Sequence, residues 1–207
     1  MQILHSTITF VIIFTTLYSY GFFVLDKIYK KTNTDIFFKI LTGYTFLGLI
    51  TVILHFFFKI NNTISILIIV FGLIIFFLNF SKFNKKEFYF LASTVTLLSF
   101  VFFGYSEHPI DTNMYHHPYV SYLKSEKIIF AIANIQFRFG HISFLQYVQA
   151  LFTNDLLHLI SLASINIIFY ICFIYYMTSK IIRAKYFNFN FLIIILFSSF
   201  ILIKFAR

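Results

Sequence analysis

The sequence predicts an all-α protein: a polytopic transmembrane helical bundle of about six spans, completed by an interfacial helix and a short re-entrant segment. Three observations carry that expectation. The chain is 60% hydrophobic and only 11% charged, with 33 Phe among 207 residues, a balance far from that of a water-soluble domain. Its apolar residues gather in runs of spanning length, and lipid offers no partners to backbone groups left unpaired. Its 16 Lys and Arg fall almost wholly in short breaks between those runs, the pattern that sets membrane orientation.

The first span is expected from Ile3 to Leu25. Its opening MQILHSTITF lacks the charged flank and small-residue cleavage site of a secretory signal, so it reads as a retained helix. Further spans follow at Ile40 to Phe58, Thr63 to Phe80, Phe88 to Ser106, Leu156 to Thr178 and Phe187 to Ile203. Only KINN, Lys59 to Asn62, separates the second span from the third, which predicts a tight antiparallel hairpin. His141 to Phe152 is apolar but too short to cross, and reads as re-entrant or interfacial. No repeat or linker interrupts the pattern, so residues 1–207 form one integral membrane unit. The ending FSSFILIKFAR comes directly after a span, as in a fragment of a longer protein.

Positive charge then orients the bundle. With six spans, ten basic residues share one side: Lys27, Lys30, Lys31, Lys39, Lys82, Lys85, Lys86, Lys180, Arg183 and Lys185. Six lie on the other: Lys59, Lys124, Lys127, Arg138, Lys204 and Arg207. A seventh span at His141 to Phe152 would reduce the bias to nine against seven. The more polarised arrangement puts the N-terminus and the loop from Glu107 to Asp155 outside, in a multi-pass membrane protein. The net charge of +9 does not point to nucleic acid, because the aromatics sit within apolar runs rather than along a basic stripe. Cys172, the single cysteine, offers neither an internal disulfide nor a cysteine metal site.

The outer loop holds the chemistry. Glu107 to His141 contains four of the seven His, three of the seven acids and both prolines, a concentration the rest of the chain lacks. Pro118 can open a helix running to about Lys127, with Tyr119, Tyr122 and Leu123 on one face, as an amphipathic helix lying on a membrane would show. Asp111, a few residues past a span, can act as a base toward an acceptor hydroxyl, and partial desolvation would raise its basicity. It can equally cap the following turn, and Glu107 could support either role. Arg138, between apolar flanks, offers paired donors to a phosphate, with Lys124 and Lys127 adding charge; it can also snorkel to the headgroups. Asn134, Gln136, Gln146 and Gln149 could bond a sugar or join helices. His108, Asp111, His116, His117 and His141 are of types that suit a divalent metal, but no HExxH pair is present, so no metal ligands are assigned. His55 and His158, in or beside spans, read as neutral histidines facing a helix partner.

The sequence DTNMYHHPY from Asp111 to Tyr119, then ANIQFRFG from Ala133 to Gly140 and a short apolar segment, resembles a group of bacterial multispanning proteins similar to the GT-C glycosyltransferases. The resemblance implies a many-helix enzyme with an acid in an outer loop, helices flat on the membrane, and a polyprenyl-phosphate-linked sugar as donor. Asp111 matches the acid; Tyr115, His116 and His117 match the group's pattern and count with Arg138, Lys124, Lys127 and Asn134 as candidate substrate contacts. The expected function is sugar transfer to an outward-facing acceptor at the cell envelope, the partners being membrane lipid and the lipid-linked sugar. Two other readings stand beside it. One is a transporter or lipid-carrier flippase, disfavoured because the six expected spans hold no Lys, Arg, Asp or Glu. The other is a non-catalytic membrane fragment.

Overall fold

A computed structural model describes residues 2–30, 34–103, 116–128, 134, 144–154, 157 and 161–183. All regular structure among them is helical: α1 (Gln2–Phe23), α2 (Ile36–Phe57), α3 (Asn62–Leu78), α4 (Lys85–Phe103), α5 (His117–Ser125), α6 (Phe144–Phe152) and α7 (Ser161–Arg183). A π-helical turn, Val24–Ile28, prolongs α1, and a 3-10 turn, Phe80–Lys82, follows α3. Among the described residues two segments, Thr7–Ile28 and Ile36–Phe57, are long and apolar enough to cross a membrane. At 22 residues each they reach roughly 33 Å, against a hydrocarbon core of about 30 Å.

The helices alternate in direction. Asp26, at the end of α1, lies 3.7 Å from Lys82, and Asp35, before α2, lies 3.9 Å from Lys180 of α7. At the opposite end Thr9 Oγ1 donates to the Leu157 carbonyl at 3.4 Å, and Ile60, after α2, donates to the Leu123 carbonyl at 3.1 Å. One end therefore gathers Lys27, Lys82, Lys85 and Lys180, while α5 and α6 cover the other.

The closest approach in the bundle is that of α1 to α2. A Cβ on Gly21 would sit 1.6 Å from the Lys39 carbonyl oxygen, and one on Gly43 would sit 1.8 Å from that of Leu17. Small residues admit this contact between backbones, the usual device where lipid supplies no hydrophobic drive between helices. The polar groups of these helices turn inward: Thr9, Thr16, Ser19, Thr51 and His55 are buried. Thr15 and Ser19 return their hydroxyls to carbonyls one turn back, Val11 at 2.8 Å and Thr15 at 2.6 Å, which satisfies them without water. Large apolar residues face outward instead, along α2 (Leu49, Ile53, Phe56, Phe57) and α3 (Leu67, Phe71, Ile74, Leu78). Stripes of this extent are foreign to a soluble monomer.

An aromatic cluster closes the lysine-rich end. Phe83, in the α3–α4 connection, is buried with its ring 4.9 Å from Tyr18, 5.0 Å from Phe22 and 4.8 Å from Phe76. Offset and tilted ring contacts at these distances add to the area they bury.

Several expectations meet the structure directly. The KINN break is a hairpin turn, with Asn61 Oδ1 accepting from Ile64 N–H at 3.0 Å to cap α3. Pro118 stands in the first turn of α5. Two expectations need correction. The second helix begins at Ile36, so Lys39 is inside it, buried, its Nζ 3.1 Å from the Tyr18 hydroxyl and over the Tyr18 and Phe22 rings. A helix held apart from lipid at its first turn can keep a charge that hydropathy places outside the span. The apolar face of α5 is not spread on lipid: Tyr119, Val120 and Leu123 are buried against Ile60, Tyr147 and Ala150.

Candidate functional site

Sequence puts the chain's chemistry in the stretch between α4 and α7, and its described parts converge on the last turn of α2. Pro118 fixes the start of α5, because its missing N–H costs nothing in a first turn. The helix is only nine residues long, too short to stand alone, and is held by contacts from outside. Ile60, fully buried in the hairpin turn, supplies one; His55 supplies two more, to Glu126 and Ile128 at the end of the helix.

His55 is buried near the end of α2. Its Nε2 lies 2.9 Å from the Glu126 carbonyl, its Nδ1 lies 3.3 Å from the Tyr147 hydroxyl, and its own carbonyl accepts from Ile128 N–H at 3.3 Å. A carbonyl can only accept, so Nε2 carries the hydrogen. In the neutral ring Nδ1 then accepts, and Tyr147 donates to it. The Tyr147 hydroxyl also bonds that of Tyr119, which links α2, α6 and α5 through one chain of polar groups. The Tyr147 and Tyr122 rings stand edge-on to the imidazole at 5.5 Å and 6.4 Å.

The nine residues of α6 serve two cores. Val148, Leu151 and Phe152 join the main one between the long helices; Tyr147 and Ala150 join the smaller one beneath α5. Residues 146 to 152 are all buried. The described part of the segment expected to be re-entrant, Phe144–Phe152, is thus lodged mostly within the protein.

Burial pushes the hydroxyls of Tyr119 and Tyr147 above the ordinary tyrosine value. The folded state holds these protons more tightly than the unfolded chain, so their contribution is complete below about pH 10 and shrinks as pH rises beyond it. Thermal stability is expected to fall above about pH 10, and a Tyr147→Phe variant to fall less steeply over that range. Melting curves at stepped pH give the comparison; parallel slopes would remove Tyr147 from this account.

The expected site residues divide as follows. Asp111, Tyr115 and Arg138 lie outside the described residues, as do Glu107, His108, Gln136, His141 and His158. His116 is exposed, its Nδ1 3.4 Å from Gln146 Nε2, while His117 is half-buried and Asn134 is exposed. Lys124 does not point outward for a phosphate; its ammonium donates to the Thr153 carbonyl and ties α5 to the end of α6. Lys127 is exposed. Gln146, which sequence reasoning left between sugar contact and helix joint, is buried, and its Oε1 finds no hydrogen-bond partner among the described residues. Among the described residues no three His, Cys, Asp or Glu gather as a metal set. The part sequence missed is Lys59, a loop lysine in a short turn whose only signal is its neighbourhood in space.

No curated protein and no solved structure matches the chain. One family model, described as a domain of unknown function (DUF8201), matches residues 4–207, and the chain belongs to that family.

Proposed function

We propose that the protein is a multi-pass protein of the bacterial inner membrane that transfers a sugar from a polyprenyl-phosphate donor to an outward-facing acceptor. The acceptor hydroxyl attacks the anomeric carbon, the bond from that carbon to the phosphate oxygen breaks, and polyprenyl phosphate departs. Asp111 takes the hydroxyl proton, and Arg138 with Lys127 holds the phosphate as its charge grows. The observation that carries the reading is the α5–α6 pair. Two nine-residue helices, neither able to cross a bilayer, dock on the bundle end away from the lysine cluster, beside the sequence that holds Asp111. Gln146 adds a buried acceptor oxygen next to His116, a group that a sugar hydroxyl would satisfy.

An Asp111→Asn variant is expected to unfold at the parent's temperature yet lose transfer of labelled sugar from the lipid-linked donor. Undiminished transfer would take Asp111 out of the chemistry. Orientation is tested separately with Ser125→Cys, Ser125 being exposed and Cys172 buried: an impermeant thiol reagent added outside intact cells should label it. Labelling only after the membrane is opened would put α5 on the wrong side. One observation favours the carrier reading instead, the buried ammonium of Lys39. It lies one turn into α2, whereas a transport site belongs near the bilayer midplane, and the transfer reading is preferred.

A further inference from the structure

The α2–α3 turn and the end of α5 enclose an open cavity of about 580 Å³, lined chiefly by Phe58, Lys59, Asn61, Ser125, Glu126 and Lys127. Its walls are pinned to each other by Ile60 N–H to the Leu123 carbonyl, Ile128 N–H to the His55 carbonyl, and His55 Nε2 to the Glu126 carbonyl. Two lysines from distant parts of the sequence therefore share one preformed space. Both are exposed, and among the described residues neither forms an ion pair, even with Glu126 on the same wall. Unneutralised ammonium groups held together favour an anion, and lysine binds phosphate as a point charge.

What lies below the cavity decides which anion. The exposed apolar stripe of α2, Leu49, Ile53, Phe56 and Phe57, runs up to Phe58 on the cavity wall. A soluble anion would leave that stripe unused, whereas an amphiphile would lay its hydrocarbon along it while its head fills the cavity. The Glu126 carboxylate and the Ser125 hydroxyl beside the lysines can accept from hydroxyls, and the Asn61 amide, its Oδ1 engaged by Ile64 N–H, can donate to them, which suits a head bearing glycerol or sugar on its phosphate rather than bare phosphate.

We propose that this cavity binds the hydroxyl-bearing phosphodiester headgroup of an anionic membrane lipid, with Lys59 and Lys127 holding the phosphate. The proposal rests on the membrane reading above and deepens it, giving Lys127 the partner that Lys124 is too engaged to be. It does not need Asp111 or the transfer chemistry.

The full chain, purified in a non-ionic detergent, is incubated with phosphatidylglycerol or phosphatidylcholine, and bound lipid is read by native mass spectrometry. Phosphatidylglycerol should be retained in preference to phosphatidylcholine. Lys59→Gln combined with Lys127→Gln should reduce its occupancy roughly tenfold or more, and Lys82→Gln with Lys85→Gln, at the other end, should not. Because both cavity lysines are exposed and form no ion pair among the described residues, the double variant should melt with the parent, and equal melting makes the occupancy comparison valid. Equal phosphatidylglycerol occupancy in parent and double variant overturns the proposal. So does release of the lipid by inorganic phosphate alone at matched concentration, which would make the ligand a soluble anion. Asp111→Asn should retain phosphatidylglycerol, so loss of transfer with binding intact, or binding without any transfer, separates this site from the catalytic reading.

Discussion

Replacing Gly43 by alanine is expected to destroy the folded bundle rather than loosen it. The added methyl would stand 1.8 Å from the Leu17 carbonyl oxygen, with the Gly21 nitrogen at 2.9 Å, whereas carbon and oxygen rest at about 3.3 Å or more. The obstacle is helical backbone, which has no rotamer to change, so α1 and α2 would have to separate by roughly 1–2 Å. Leu17, Tyr18, Ile36 and Ile40, all fully buried in the core, would lose contact together. Lys39 would also lose the Tyr18 hydroxyl that lies 3.1 Å away. A cost above about 3 kcal/mol is expected, and Gly21→Ala should match it, since its Cβ would fall 1.6 Å from the Lys39 carbonyl oxygen. Gly48→Ala is the informative control: the nearest atoms to its Cβ belong to the Phe144 side chain, at 3.0 Å, and that ring can turn aside. The monodisperse yield and melting temperature of Gly43→Ala and Gly48→Ala, purified in one detergent, give the test. A Gly43→Ala protein that melts with the parent would show that the two helices do not cross this closely.

What could be read from the sequence followed the range of the cause. The KINN hairpin and the start of α5 were legible because they rest on a short break and on one proline. The two helices long and apolar enough to cross a membrane were legible because hydropathy sums over neighbours. Lys39 was not: a lysine at the edge of an apolar run marks a boundary by hydropathy, and only the Tyr18 and Phe22 rings on another helix explain why it is inside. The face of α5 came out correctly as Tyr119 and Leu123, but its cover did not, since Tyr147 and His55 are remote in sequence. The Lys124 contact was not legible for the same reason, its partner being the Thr153 carbonyl just past the end of α6. Of the two groups central to the proposed chemistry, Asp111 and Arg138, neither lies among the described residues; their support remains the composition of the loop and its resemblance.

Substituting His55 by alanine should release α5 from the bundle while leaving the α1–α2 core folded. The imidazole serves Glu126 through Nε2 at 2.9 Å and Tyr147 through Nδ1 at 3.3 Å. Its removal takes the donor from the Glu126 carbonyl, leaves the Tyr147 hydroxyl bonded to Tyr119 without its imidazole partner, and opens a hole under the Tyr122 and Tyr147 rings. The lost bonds cost about 1–3 kcal/mol, and with the cavity the total approaches about 3–5 kcal/mol. That sum falls on a nine-residue helix that has little stability of its own. The remaining ties are the Ile128 N–H to the His55 carbonyl and the Ile60 N–H to the Leu123 carbonyl, both backbone bonds that become exposed once the side-chain lock is gone. Hydrogen exchange should therefore accelerate at Ile60, Glu126 and Ile128 and stay slow in the Leu17 to Gly21 segment. His55→Gln, whose amide can donate to one group and accept from the other, should restore part of the protection. Unchanged exchange at those three amides in His55→Ala would mean that burial of Tyr119 and Leu123 alone holds α5. The same variant should lower lipid occupancy of the Lys59–Lys127 cavity, because the wall carrying Lys127 loses one of its three ties and keeps only the two backbone bonds.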